Sequence, residues 1–205
     1  MTEQHVTISC GSIRLEGRLN EQTPGEKGVV ITHPHPLYGG NMDNPVVSRI
    51  AAAFSDAGFT TLRFNFRGTG RSTGMFDNGA GEQDDVISAL DFLQGRGVSR
   101  VWLAGYSFGS WVNAQVLASG RQVDDHVMVS PPAAFLSFDG VETLPSTGLI
   151  VTGARDDIAP PEMVRALVSR WGITPETVVL DGGDHFYSGS MDQMGRALSG
   201  YLSRS

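Results

Sequence analysis

The sequence has little of what several classes of protein need. Cys10 is the one cysteine in 205 residues, so an internal disulfide is excluded and the thiol is expected to pack as a small apolar side chain. Charged residues make up 18% of the chain, below the typical ~25%, which indicates a large buried interior. The formal net charge of -7 provides no basic face for a phosphate backbone, so we expect no nucleic-acid partner.

From the sequence we also expect neither a signal peptide nor a membrane helix. The first ten residues contain neither a basic segment nor an apolar run, so we expect a cytoplasmic protein. One uncharged stretch, residues 101–120, is long enough to cross a bilayer. It holds three glycines and is interrupted by the polar residues Tyr106, Ser107, Ser110, Asn113 and Gln115. We interpret it as a buried strand, a sharp turn and a buried helix, and expect no membrane partner.

Glycine, in contrast, is abundant. The chain has 26 glycines, about 13% against a usual ~7%, and they lie without a period between apolar runs. This distribution predicts many tight turns. Two alternating segments near the start, residues 5–10 and 13–19, predict an antiparallel hairpin.

After the hairpin, strand patterns and helix patterns alternate. We expect strands at 28–32, 60–66, 101–104, 127–129, 149–151 and 177–180, and helices at 45–57 (capped by Asn44), 82–93, 107–119, 161–171 and 191–202. This alternation predicts an α/β fold with a mostly parallel, doubly wound sheet and an antiparallel N-terminal edge hairpin. No linker divides the pattern, so we expect a single domain over residues 1–205.

Residues 105–109 read Gly-Tyr-Ser-Phe-Gly and lie between an expected strand and an expected helix. The G-x-S-x-G pattern in that context is typical of a nucleophile elbow. Such a turn leaves no room for side chains at the two glycines and exposes the serine hydroxyl at the carboxyl edge of the sheet. We therefore predict Ser107 as a nucleophile and the Phe108 N–H as one oxyanion donor, at the positive end of the helix.

A catalytic serine needs a base and an acid that orients the base, and in this architecture the chain order is serine, acid, histidine. His126 precedes an expected strand and so enters at the opposite sheet edge. His185 follows a strand and is the predicted base. Asp156 and Asp157 both follow the strand at 149–151; we favour Asp156 as the acid and expect the other aspartate to cap the next helix.

Three segments together resemble the α/β-hydrolase superfamily: the elbow at Ser107, Gly153-x-x-Asp156 and Asp184-His185-Phe186. The loop at 33–42, His-Pro-His-Pro-Leu-Tyr-Gly-Gly-Asn-Met, resembles a small, nearly lidless group related to dienelactone hydrolase and to prolyl-peptidase-like esterases. The resemblance covers essentially the whole chain after the first hairpin. It implies the α/β-hydrolase fold and aligns Asp156 with the acid of the triad.

The loop at 33–40 follows a strand and overhangs the same edge as the elbow. In the superfamily this loop supplies the second oxyanion N–H. Because Pro34 and Pro36 have no N–H, His35 or Leu37 remains, and we favour His35. His33 and His35 could instead ligate a metal, but no third ligand accompanies them, so we expect no metal site.

Residues 130–146 occupy the place where superfamily members insert a lid. One average helix already takes roughly 11–12 residues, so the segment is too short for a lid of packed helices. Phe135, Leu136 and Phe138 are expected either to line an acyl site or to pack this segment down. The candidate pocket residues are Tyr38, Tyr106, Phe135 and Phe186. Arg67, at the start of a glycine-rich loop, is expected to hydrogen-bond neighbouring carbonyls.

Together these residues predict a serine hydrolase that cleaves small acyl esters through an acyl-enzyme and needs no cofactor. Two alternatives share the chemistry: cleavage of short peptides and acyl transfer. A third is a binding module that kept the fold without turnover. The expected partner is a small-molecule acyl substrate, and the sequence leaves monomer and homodimer open.

Overall fold

One mixed sheet organises the computed structural model, which describes residues 3–22 and 25–204. Its strands are β1 (Gln4–Cys10), β2 (Ile13–Asn20), β3 (Lys27–Thr32), β4 (Thr60–Phe64), β5 (Arg100–Tyr106), β6 (Asp125–Val129), β7 (Thr147–Gly153) and β8 (Glu176–Leu180). They are ordered β1-β2-β4-β3-β5-β6-β7-β8. The pairs β1–β2 and β2–β4 are antiparallel, and every other neighbouring pair is parallel. The predicted fold class, with its N-terminal edge hairpin, is confirmed.

Helices cover both faces of this sheet. They are α1 (Pro45–Asp56), α2 (Ala80–Gln94), α3 (Phe108–Ala118), α4 (Pro161–Trp171) and α5 (Met191–Leu202). Val29 and Ile31 of β3 pack with α1 and α5, whereas Val30 between them packs with α2 and α3. Successive residues of a strand face opposite sides, so a continuous apolar run fills two cores. Burying each such side chain stabilises the fold by about 1.5–3 kcal/mol.

Local signals position the helix starts. Asn44 caps α1 as predicted: its side chain accepts a hydrogen bond from the Val46 N–H at 2.9 Å, and Pro45 takes the first helical position. Helix α2 begins at Ala80, two residues before the prediction. Glu82 is the reason, because its carboxylate accepts the N–H groups of Asp77 and Gly79 at 2.9 and 2.7 Å and so satisfies donors of the preceding turn.

Two expectations around β4 are wrong in detail. The strand ends at Phe64, not at residue 66, because the Ser72 hydroxyl replaces the next ladder bond to β2: it accepts the Glu16 N–H at 2.9 Å and donates to the Asn65 carbonyl at 2.7 Å. Within the described part of the chain, the Arg67 side chain bonds no neighbouring carbonyl. Its guanidinium pairs with the buried carboxylate of Asp85 on α2, at 2.8 Å, and so joins the glycine-rich loop to that helix.

The parallel strands place their carboxyl ends along one edge of the sheet. The loops after β3, β5, β6, β7 and β8 therefore meet at that edge. His126 lies near the start of β6, at the opposite edge, as expected. In the part of the chain that is described, no helix combines the length and the apolar character that crossing a bilayer requires.

Candidate active site

The turn between β5 and α3 holds Ser107 in a backbone conformation that few non-glycine residues adopt. Its φ and ψ are 52° and -121°, and such a conformation costs about 1–3 kcal/mol unless the surroundings enforce it. The surroundings do so here. A Cβ on Gly105 would lie 2.6 Å from the Ser110 nitrogen, and one on Gly109 would lie 2.7 Å from the His33 carbonyl. The two glycines of the elbow are required because backbone occupies the space of their side chains.

A continuous chain of hydrogen bonds runs from this serine to Asp156. Ser107 Oγ lies 2.9 Å from His185 Nε2, and His185 Nδ1 lies 2.9 and 3.0 Å from the two carboxylate oxygens of Asp156. Since a carboxylate only accepts, Nδ1 carries the proton and Nε2 is left to accept from the serine. All three side chains are buried, with Ser107 7% exposed. Asp157 is exposed, so the structure brings Asp156 rather than its neighbour to the histidine.

The Asp156 carboxylate is held as an anion. Oδ1 also accepts the N–H groups of Ile158 and Ala159, at 3.0 and 2.7 Å, and Oδ2 accepts from the Ser130 hydroxyl at 2.7 Å. Burial raises the pKa of this carboxyl, but the hydrogen bonds from His185, Ser130 and the Ala159 backbone outweigh it, so the pKa lies below the usual range. A stable anion at this place favours a proton on the facing imidazole nitrogen.

Two contributors to this site were missed by the sequence analysis. Ser130 follows β6 at the same sheet edge and is not among the residues that the sequence motifs indicate. Its hydroxyl also lies 2.8 Å from the Tyr187 hydroxyl, which donates because the Ser130 proton goes to Asp156. Both residues adopt positive φ, 47° and 57°, unusual for residues with side chains. The position of Ser130 directly after a strand was the one signal in the sequence that could have identified it. Tyr187 could not be identified in this way, because its contact with Ser130 joins two loops that are distant in the sequence.

The loop after β3 lies against the start of α3. The His35 ring packs on the Phe108 ring, with 4.7 Å between centroids. The Leu37 N–H donates to His35 Nδ1 at 3.2 Å and is therefore already used. Within residues 3–22 and 25–204, the N–H groups of His35 and Phe108 have no hydrogen-bond acceptor. Of the two sequence candidates for a second donor, His35 is the one whose N–H remains available.

Comparison with known proteins identifies the family of this chain. An α/β serine hydrolase homologue from Coxiella burnetii has 35% sequence identity and a TM-score of 0.91, with 98% of each chain covered. The chain belongs to the α/β hydrolase family. A serine hydrolase without a lid from Xanthomonas campestris has 28% identity and a TM-score of 0.91 over 100% of this chain and 95% of that one.

Sequence comparison alone is less informative about this α/β hydrolase. An uncharacterized protein of Rickettsia prowazekii is 35% identical over 200 residues, which cover 92% of this chain and 84% of that protein. No family model matches the sequence. The resemblance to lidless α/β hydrolases that the motifs indicate is confirmed by the solved structures.

A cleft of about 430 Å³ opens above the elbow of this hydrolase. The four candidate pocket residues all line it: Tyr38, Tyr106, Phe135 and Phe186. Tyr106 is itself buried, and its hydroxyl donates to the His185 carbonyl at 2.8 Å, so it also holds the loop of the histidine. Phe186 is 67% exposed and stands at the rim.

Residues 130–146 form no helix, as expected of a hydrolase without a lid. Its three candidate apolar residues, Phe135, Leu136 and Phe138, have different roles. Phe135 and Leu136 line the cleft. Phe138 is buried against Trp171 of α4, with ring centroids 5.5 Å apart, and so fastens the segment to the body of the protein. The two roles expected from the sequence are therefore divided between neighbouring residues.

Proposed function

We propose that this α/β hydrolase is a serine carboxylesterase acting on small acyl esters. The observation that carries the proposal is the hydrogen-bonded chain from Ser107 through His185 to Asp156. A serine hydroxyl with an imidazole nitrogen at 2.9 Å, and that imidazole held by a buried carboxylate, is the arrangement by which a serine becomes a nucleophile.

The reaction begins when Ser107 Oγ attacks the acyl carbon and its proton passes to His185 Nε2. The negative charge of the tetrahedral intermediate forms on the former carbonyl oxygen, where we place the N–H groups of Phe108 and His35 as donors. Collapse of the intermediate breaks the ester C–O bond, and His185 returns the proton to the departing alkoxide. Asp156 keeps the imidazole in the required tautomer and stabilises its positive charge.

A water molecule then reverses the sequence. It attacks the acyl-enzyme carbonyl and gives a proton to His185. The second intermediate then collapses to a carboxylic acid as His185 returns that proton to Ser107 Oγ and the serine is released. The positive end of α3 points at the same oxygen in both halves of the reaction. No step needs a group other than these side chains, two backbone N–H groups and water.

The proposal is tested by turnover of an aryl acetate. Ser107→Ala should lower kcat by roughly 10⁴-fold or more, because the members of a triad act as a unit. Ser119→Ala is the matched control: that serine is exposed at the far end of α3, and its hydroxyl donates within its own helix, to the Val116 carbonyl at 2.8 Å. Equal activity of wild type and Ser107→Ala would overturn the proposal.

The same assay separates the chemical alternatives. An anilide of a short peptide in place of the ester reports peptidase action, and an added alcohol acceptor reports acyl transfer as a new ester. We expect hydrolysis of the ester to dominate. Faster turnover of the anilide, or transfer that exceeds hydrolysis at low acceptor concentration, would assign the triad to another reaction.

A further inference from the structure

His33 is a fully buried histidine outside the triad that makes two hydrogen bonds to backbone groups. Its Nε2 accepts the Phe66 N–H at 3.0 Å, and its Nδ1 lies 2.6 Å from the Pro34 carbonyl oxygen. Because Nε2 must present a lone pair to an N–H donor, the proton of the neutral ring is on Nδ1. His33 Nδ1 is therefore the donor to the Pro34 carbonyl.

That carbonyl belongs to the same peptide group as the His35 N–H. A peptide unit is planar, and in its trans form the C=O and N–H bonds point in opposite directions. A side chain that fixes the Pro34 oxygen therefore also fixes the direction of the His35 N–H. The next peptide is held as well, since the His35 carbonyl accepts the N–H groups of Tyr38 and Gly40, both at 3.1 Å.

The Pro34 carbonyl also lies close against the backbone of Gly40. A Cβ on Gly40 would lie 2.1 Å from the Pro34 oxygen, so only glycine fits at this position without displacing that oxygen. The His33 ring in turn packs on Phe66, with 4.7 Å between centroids. The Pro34 oxygen is thus held by a hydrogen bond from His33 and by close contact with Gly40.

We infer that His33 is a positioning residue for the oxyanion site: its Nδ1–H holds the Pro34–His35 peptide so that the His35 N–H faces the cleft. The inference rests on the proposed function, which makes His35 a donor to the oxyanion. It assigns to the first histidine of the His-Pro-His-Pro loop a role in transition-state stabilisation, exerted through the neighbouring peptide group.

The ring must stay neutral to keep both bonds, because a protonated Nε2 could no longer accept the Phe66 N–H that holds the ring in place. Burial lowers the pKa of His33 to about 4. The tautomer that donates to Pro34 thus persists across the neutral range.

Two amide variants separate this role from simple packing. Asparagine places its amide nitrogen near the position of imidazole Nδ1, whereas glutamine reaches the position of Nε2. His33→Asn should keep the donor to Pro34 and stay within about tenfold of wild-type kcat. His33→Gln should lose it and lower kcat by roughly 10²-fold with little change in KM, the size of effect expected when one oxyanion donor is misdirected.

A third variant perturbs the Pro34 carbonyl through Gly40 and leaves His33 unchanged. Gly40→Ala should displace the Pro34 oxygen and lower kcat as His33→Gln does, with His33 intact. His126→Gln is the control, since His126 is equally buried but lies at the opposite sheet edge. It should leave kcat near wild type even where it lowers the midpoint of thermal unfolding.

Affinity for a boronic acid that mimics the tetrahedral intermediate should fall in step with kcat in His33→Gln and Gly40→Ala. The inference would be overturned if His33→Asn and His33→Gln lowered kcat equally. It would also be overturned if the variants changed only KM or only the midpoint of thermal unfolding. Should wild type fail to turn over esters at all, the proposed function fails. Crystal structures of the two His33 variants then still decide the inference, which requires the Pro34–His35 peptide to rotate only in His33→Gln.

Discussion

At the scale of single residues, the two adjacent aspartates after β7 have separate environments. Asp156 is buried and bonded to His185, whereas Asp157 is exposed. Asp156→Asn should lower kcat by about 10⁴-fold, because an amide in that place stabilises the wrong imidazole tautomer. Asp157→Asn should change kcat little. Comparable losses in the two variants, measured as kcat on one ester, would count against Asp156 as the acid.

Ser130 supplies a hydrogen bond to Asp156 that no motif indicates. Ser130→Ala should lower kcat by roughly tenfold, since a bond to a charged group contributes about 1.5–3 kcal/mol and the histidine is oriented through that group. Tyr187→Phe should have a smaller effect, because its hydroxyl reaches Asp156 only through Ser130. Steady-state kinetics of both variants check this order. A larger loss of kcat in Tyr187→Phe would show that Tyr187 acts by another route.

At the scale of elements, the segment 130–146 borders the cleft that we propose holds the acyl group. It has no helix and lines the cleft with Phe135 and Leu136, so we expect a long acyl chain to extend beyond the cleft into solvent. Each added CH₂ contributes about 0.8 kcal/mol only where it is buried. We expect kcat/KM to be highest for acetyl to butyryl esters, with no rise above the micellar concentration. A steady climb to palmitoyl in an acyl-length series would refute this expectation.

Element types were predictable from the sequence because each has its own apolar period. The continuous run in β3, the alternation in β1 and the capped start at Asn44 were sufficient to identify a parallel sheet and its edge hairpin. The start of α2 was not predictable, because Glu82 acts as a cap for the turn before it rather than as a first helical residue. The partner of Arg67 likewise depends on packing between distant segments.

In the candidate site too, some residues could be predicted from the sequence and others could not. Ser107, His185 and the aspartate pair follow from chain order at the ends of parallel strands, which topology brings to one edge. The contacts of Ser130, Tyr187 and His33 could not be predicted, since each joins loops that are adjacent only once the sheet has formed.

At the scale of the whole molecule, two buried histidines link stability to pH. Burial lowers the pKa of His33 to about 4 and that of His126 to about 3, both below the ~6.5 of an unfolded chain. Between those values the unfolded state binds more protons than the folded state. The contribution of these two histidines to the free energy of unfolding is therefore fully present above about pH 6.5. Below that pH it falls by about 1.4 kcal/mol per histidine and pH unit.

Removal of one of these groups should flatten the dependence. His126→Gln should reduce the slope of unfolding free energy against pH between about pH 5 and 6. The reduction should correspond to close to one fewer proton taken up on unfolding. Urea unfolding at several pH values in that range measures the slope for wild type and variant. An unchanged slope would mean that His126 binds a proton in the folded state.

The central claim is that His185 activates Ser107 for attack on an acyl-like electrophile. Labelling by a fluorophosphonate, followed by peptide mapping, tests it most directly. The account predicts that wild type carries one phosphonyl group on Ser107, that Ser107→Ala carries none, and that His185→Ala reacts at least about 10³-fold more slowly, since a free serine hydroxyl is a weak nucleophile. Labelling on another residue, or an unchanged rate in His185→Ala, would contradict it.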